Sequence, residues 1–228
     1  MIPLRDDTPT ALRPIATLGL IVATTLAFLW QLSLGSQAEQ VILTLGAVPA
    51  RLFGKMAPDS AALPATITVF TSMFLHGGWM HLIGNMLYLW IFGNNVEDAM
   101  GHVRYLLLYL VSGSVAVFVQ ALLATSSTVP MIGASGAISG VLGSYLLLYP
   151  HARVLVLLPL GFLSRLIYLP AMLVLGFWFL LQLLSAMLAD PNQPGVAFAA
   201  HAGGFVSGLI LVLFFRRRGV RLFNPPAA

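Results

Sequence analysis

Apolar residues run through this chain in six long blocks, separated by short breaks rich in polar residues, proline or glycine. The blocks fall near 15–34, 77–96, 104–124, 132–149, 167–188 and 197–215. At a helical rise of about 1.5 Å per residue, each reaches or nears the length that crosses ~30 Å of hydrocarbon. The pattern predicts an all-α polytopic membrane protein with six transmembrane helices. The apolar run from Val154 to Leu188 is too long for one helix. Pro159, Gly161, Ser164, Arg165 and Pro170 interrupt it, so 153–166 is expected to form a connecting loop or interfacial turn. The first block follows Arg5 and Arg13 as a signal peptide would. Its apolar stretch of about 20 residues exceeds a typical signal core and no small-x-small cleavage site follows, so it is read as a retained span.

Composition agrees with the pattern. Hydrophobic residues make up 59% and charged residues 8% of the chain, with a mean hydropathy of +0.93. A soluble domain carries about a quarter charged residues. Six spans place both termini on one side. With that side cytoplasmic, nine arginines (5, 13, 104, 153, 165, 216, 217, 218 and 221) lie inside, against only Arg51 and Lys55 outside. Such a bias sets orientation. It also explains the basic pI without nucleic acid, and Arg216–Arg218 reads as a stop at the membrane face. The organisation expected is a cytoplasmic tail at 1–14, a membrane domain at 15–216 and a cytoplasmic tail at 217–228 ending in Pro225-Pro226. The extracytoplasmic loop at 35–76, broken by Gly46, Pro49, Pro58 and Pro64, is expected to fold partly into or onto the bilayer. The chain has no cysteine, which excludes disulfides, thiolate zinc sites and thiol nucleophiles.

Polar residues inside the blocks then stand out. Span 4 runs inward and places Ser135 ~7 Å below its outer end; span 6 also runs inward and places His201 ~9 Å below its own. Span 2, with the same direction, carries His81 at similar depth and Asn85 one turn deeper on the same face. Intramembrane polar groups are costly and mark function by default. A serine beside a histidine suits nucleophilic acyl transfer, His201 taking the Ser135 hydroxyl proton. His81 and Asn85 are placed to donate to the developing oxyanion, with the Ser135 amide at a helix N-terminus as a third donor. Gly133 and Gly136 leave room for a substrate carbonyl at the backbone. Glu97, Asp98 and Asp190 lie near span ends, and Asp6, Asp7, Glu39 and Asp59 in loops or the tail, so a dyad is expected rather than a triad.

His81-x-x-x-Asn85, Gly133-Ala-Ser-Gly136, and Ala200-His-Ala-Gly-Gly204 with Gly208, in this order on spans of matching direction, resemble the rhomboid intramembrane serine proteases over about 70–216. The resemblance implies Ser135 as nucleophile, His201 as base, and an oxyanion hole of His81, Asn85 and the Ser135 amide. It also implies a transmembrane protein as substrate, cut near the outer end of its span, with no cofactor. Two positions depart from the family pattern. A Trp-Arg pair common in the first loop is replaced by Ala65–Phe70. An aromatic one turn after the nucleophile is replaced by Ser139, so another side chain must orient His201.

Plainer readings apply elsewhere. Gly136-x-x-x-Gly140 and Gly204-x-x-x-Gly208 are small-residue faces that pack spans together. Ser139 and Ser144 are expected to bond their own i−4 carbonyls. His76 reads as a loop-end or gate residue, and His102 and His151 as solvated. His76 and His81 lack the company a metal site needs. Trp30, Trp79, Trp90 and Trp178 read as belt or packing aromatics, while span 5 around Phe177 and Trp178, with the loop at 189–196 and its Pro191 and Pro194, is the candidate gate. The expected setting is the lipid bilayer of a bacterial inner membrane. The alternative function is a non-proteolytic rhomboid-like scaffold for membrane-protein clients. A transporter is disfavoured, since no span carries a mid-span carboxylate or lysine.

Overall fold

The computed structural model describes residues 1–56, 63–160, 163–190, 193 and 195–223. Pro58, Asp59, Gly161, Pro191, Pro194 and Pro225-Pro226, singled out above, lie outside the described residues. In chain order the elements are β1 (Ile2–Asp6), α1 (Ile15–Ser33), α2 (Ala38–Leu45), α3 (Pro49–Leu52) and α4 (Ala65–Thr71). They continue with α5 (Trp79–Met100), α6 (His102–Leu123), α7 (Ser135–Leu148), β2 (Arg153–Leu160), β3 (Leu163–Pro170), α8 (Ala171–Leu188) and α9 (Phe198–Phe215).

Among the described residues, α1, α6, α8 and α9 are long and apolar enough to cross a membrane. The six spans expected from the sequence are therefore matched in part. Helix α5 has 22 residues, but its second half carries Asn94, Asn95, Glu97 and Asp98. Helix α7 has only 14 residues, ~21 Å at the usual rise. Its expected start at 132 moves to Ser135, because the segment before it is extended rather than helical. Ala47 and Met131 form a bridge with N···O distances of 3.0 and 2.8 Å, and Gly133 N–H donates to Ser72 O at 2.8 Å. Irregular backbone at such a place is tolerated when protein surrounds it or it lines a cavity.

Helix α7 is the centre of the bundle. Residues Ala137 through Tyr145 are all buried, as expected of a helix apolar all round. Its closest partner is α9, with α6 and α5 on other sides. Backbones touch here because side chains are missing: a Cβ on Gly208 would lie 1.8 Å from Gly140 O, and one on Gly204 2.1 Å from Gly136 O. A Cβ on Gly136 would in turn meet the Ala116 methyl of α6 at 2.5 Å. Ser139 Oγ donates to Ser135 O at 2.6 Å, and Ser144 Oγ to Gly140 O at 3.0 Å, the back-bonding expected of them. Ser144 Oγ also reaches Gly208 O across the helix pair at 3.0 Å.

The all-α expectation needs a correction at the other end of the bundle. Residues 153–166 are not a plain loop: β2 and β3 pair antiparallel, and β1 adds to β2, giving a three-stranded sheet in the order β1-β2-β3. The apolar run that broke a helix is a strand by its alternation, with Val154 and Val156 fully buried and Arg153 exposed. The 1–14 tail is likewise folded against the bundle. Asn95 Nδ2 donates to Thr8 O at 2.9 Å, and the Asp98 carboxylate accepts Ala11 N–H and Leu12 N–H at 3.0 and 3.1 Å. Asp98 also accepts Arg217 at 3.2 Å. Glu97, fully buried, accepts Ala16 N–H and Thr17 N–H at 2.8 Å each, Thr17 Oγ at 2.6 Å and His102 Nδ1 at 2.5 Å. One carboxylate thus caps the N-terminus of α1, where backbone N–H groups have no helical partner. His102, read as solvated, keeps its side chain 41% exposed and is also this carboxylate's partner.

Candidate active site

A cavity of about 960 Å³ opens at the end of the bundle opposite the sheet, and Ser135, His201, His81 and Asn85 all line it. Three helices bring them there. Ser135 is the first residue of α7, delivered by the extended segment pinned to Ala47 and Ser72, so its own N–H is among the unpaired donors of the helix start. His201 sits on the first turn of α9, brought to α7 by the glycine contacts. His81 and Asn85 lie one turn apart on α5.

Hydrogen bonds assign roles to the rings. Gly77 N–H donates to His81 Nδ1 at 3.4 Å, which leaves the His81 proton on Nε2. That nitrogen borders Gly133, where a Cβ would come within 2.8 Å of it and 3.8 Å of Ser135 Oγ. Gly133 also has φ +116°, which favours glycine. The His81 N–H is thus directed into the space beside the serine. Asn85 Nδ2 donates to His76 Nε2 at 3.0 Å, leaving its second amide hydrogen for another acceptor. His201 Nδ1 donates to Gln182 Oε1 at 2.7 Å, so Nε2 is the free lone pair. Among the described residues no hydrogen bond joins Ser135 Oγ to His201; such bonds often tighten only around substrate.

Residues 64–218 of this chain match the family model described as the Rhomboid domain. The chain belongs to the rhomboid family. It is 39% identical over 93 residues to Rhomboid protein 1, mitochondrial, of Saccharomyces cerevisiae, covering 39% of this chain and 27% of the yeast protein. Over 150 residues it is 33% identical to RHOMBOID-like protein 1 of Arabidopsis thaliana, covering 64% and 34%. Over 81 residues it is 44% identical to Rhomboid protease GluP of Bacillus subtilis, covering 34% and 15%. The matched stretches therefore span 15% to 34% of the length of these relatives. Their mitochondrial, plant and bacterial origins do not single out the bacterial inner membrane expected from the sequence.

Around this cavity stand four side chains that sequence reasoning missed or read only in part. His76 is not a loop-end decoration: it is fully buried, bonded to Asn85, and packed edge-on against His81 at a 4.8 Å ring separation. Gln31 of α1 holds the His76 backbone from both sides, donating to its carbonyl at 2.9 Å and accepting its N–H at 3.3 Å. Trp178, read as a belt or packing aromatic, is a packing one whose partner the sequence did not name: its ring lies 5.9 Å from that of His201 and 6.1 Å from that of Phe205. Gln182, one turn on from Trp178, makes the bond to His201. The signal for the last two was present: an uncharged amide on an otherwise apolar span, four residues from a tryptophan. Among the described residues no group of three metal-ligating side chains forms.

Proposed function

We propose that this rhomboid-family protein is an intramembrane serine endopeptidase that hydrolyses a peptide bond in or near the transmembrane segment of membrane-protein substrates. The observation that carries the reading is the convergence on one cavity of a helix-start serine, a histidine with its Nε2 lone pair free, and a second histidine whose Nε2–H points beside the serine.

In the reaction, Ser135 Oγ bonds to the substrate carbonyl carbon while its proton passes to His201 Nε2. The carbonyl π pair moves onto oxygen, where His81 Nε2–H, the remaining Asn85 N–H and the Ser135 amide receive the charge. Collapse breaks the C–N bond, and His201 returns the proton to the leaving nitrogen. Water then attacks the acyl-serine with His201 again as base, releasing the acid and restoring Ser135. No redox partner or cofactor enters.

The reading includes six spans, with both termini and the sheet cytoplasmic and the cavity opening outward. Helix α8 fits a lateral route for substrate, since only Ala171, Val174 and Leu175 of it are buried. Incubating wild type, Ser135→Ala and His201→Ala with a transmembrane substrate in detergent tests the proposal. Wild type is expected to cleave and both variants to fall to background. Stable client binding without cleavage by wild type would favour the scaffold reading instead.

A further inference from the structure

Resting on the proposed protease, we propose that Gln182 is the positioning residue of His201: its Oε1 accepts Nδ1–H and holds the tautomer whose Nε2 faces the cavity that Ser135 lines. A neutral imidazole has one donor and one acceptor nitrogen, so whatever bonds Nδ1 decides whether Nε2 can take a proton. The 2.7 Å contact puts an acceptor there. Trp178, on the same face of α8 one turn earlier, lies against the ring at 31° and limits its rotation. Two side chains of one helix thus do what Ser139, one turn after the nucleophile, is too short to do. Ser139 is in any case occupied by the Ser135 carbonyl.

An amide suits this place better than a carboxylate. The carboxylates of Glu97 and Asp98 are held at the sheet end, and a further charge among apolar spans is expensive to bury. Gln182 orients the ring without adding one. The arrangement also ties the base to α8, the helix with the fewest buried residues among the long apolar ones. When α8 is seated, His201 holds the competent tautomer; displacing α8 removes both contacts at once.

The opposing reading is that Gln182 only clamps α8 to α9. Three variants separate the two: Gln182→Met, without an acceptor; Gln182→Glu, which only accepts; and His201→Ala, which identifies the His201 signal. Two readouts are taken, nitrogen NMR of the imidazole rings and the rate at which a fluorophosphonate reagent labels Ser135 across pH. The expected wild-type spectrum shows His201 protonated on Nδ1. Gln182→Met is expected to mix the tautomers and slow labelling at least ~10-fold, with thermal unfolding close to wild type. Gln182→Glu is expected to keep the tautomer and most of the labelling, with the acid limb of the profile moved to higher pH because a carboxylate favours imidazolium. A wild-type tautomer and rate in Gln182→Met would overturn the proposal, as would equal loss in Gln182→Met and Gln182→Glu. Should Gln182→Met unfold, the Gln182→Glu spectrum and profile decide alone. A wild type that neither labels nor cleaves would sink the protease reading, while the NMR would still test Gln182.

Discussion

The two carboxylates at the sheet end of this bundle and the polar groups at its cavity end are held in opposite ways. At the sheet end Glu97 accepts four hydrogen bonds and Asp98 accepts from two backbone N–H groups and Arg217, so the buried carboxylate is fully engaged. At the cavity end, among the described residues, Nε2 of His201, Nε2–H of His81, one amide hydrogen of Asn85 and the hydroxyl of Ser135 are left unused. Gln182, Gly77 and His76 hold the Nδ1 atoms of His201 and His81 and the amide nitrogen of Asn85. A saturated buried network holds a structure together. Groups that are held firmly and left with one free valence toward a cavity are suited to the proposed chemistry. The contrast is sharper than polarity or depth, which both ends share.

Breaking each end should therefore produce different losses. His201→Ala is expected to abolish substrate cleavage while leaving thermal unfolding in detergent nearly unchanged. Glu97→Ala is expected to do the reverse, lowering stability because the buried Ala16 and Thr17 N–H groups lose their acceptor, at about 1–3 kcal/mol for each. Glu97→Gln, which keeps acceptor oxygen, should cost about 1–3 kcal/mol. His81→Ala and Asn85→Ala are expected to lower turnover ~10²–10³-fold if they donate to the oxyanion. Unchanged turnover in both would mean the hole is built from other groups. Gly208→Ala forces a methyl onto the Gly140 carbonyl and should destabilise by about 1–3 kcal/mol, with activity falling as α9 moves from α7.

The smallest effect is at Asp6, whose carboxyl is hydrogen-bonded by Tyr145 at 2.6 Å and whose pKa burial raises above the ordinary 3.8. A raised folded value means the fold binds the proton more tightly than the unfolded chain does. Stability from this residue is thus greatest at low pH and falls as pH rises from 3.8 through the folded value. Asp6→Asn is expected to flatten that fall, measured as a smaller difference in unfolding temperature between acidic and neutral buffer.

The cavity end was largely legible in the sequence, because polar residues in apolar spans are few and glycine spacing says which spans touch. Ser135, His201, His81 and Asn85 share one cavity, as helix rise and direction implied. Their supports were harder to read. Gln182 and His76 act through the third dimension, and nothing in the spacing of His76 to Asn85 says that one bonds the other. The sheet end was least legible. Val154–Leu158 looks like a failed span when hydropathy is summed, and only its alternation against the buried face marks a strand. The N-terminal strand that completes the sheet pairs with residues about 150 positions away, a distance local pattern does not report. Glu97 looked like an end-of-span charge because three of its four donors come from α1, 80 or 81 positions away.

The most direct measurement of the central claim is mass-spectrometric mapping of a fluorophosphonate adduct on the protein in lipid. The account predicts one modified serine, Ser135, in wild type and no adduct in His201→Ala. An adduct on another serine, or equal labelling of Ser135 without His201, would contradict it.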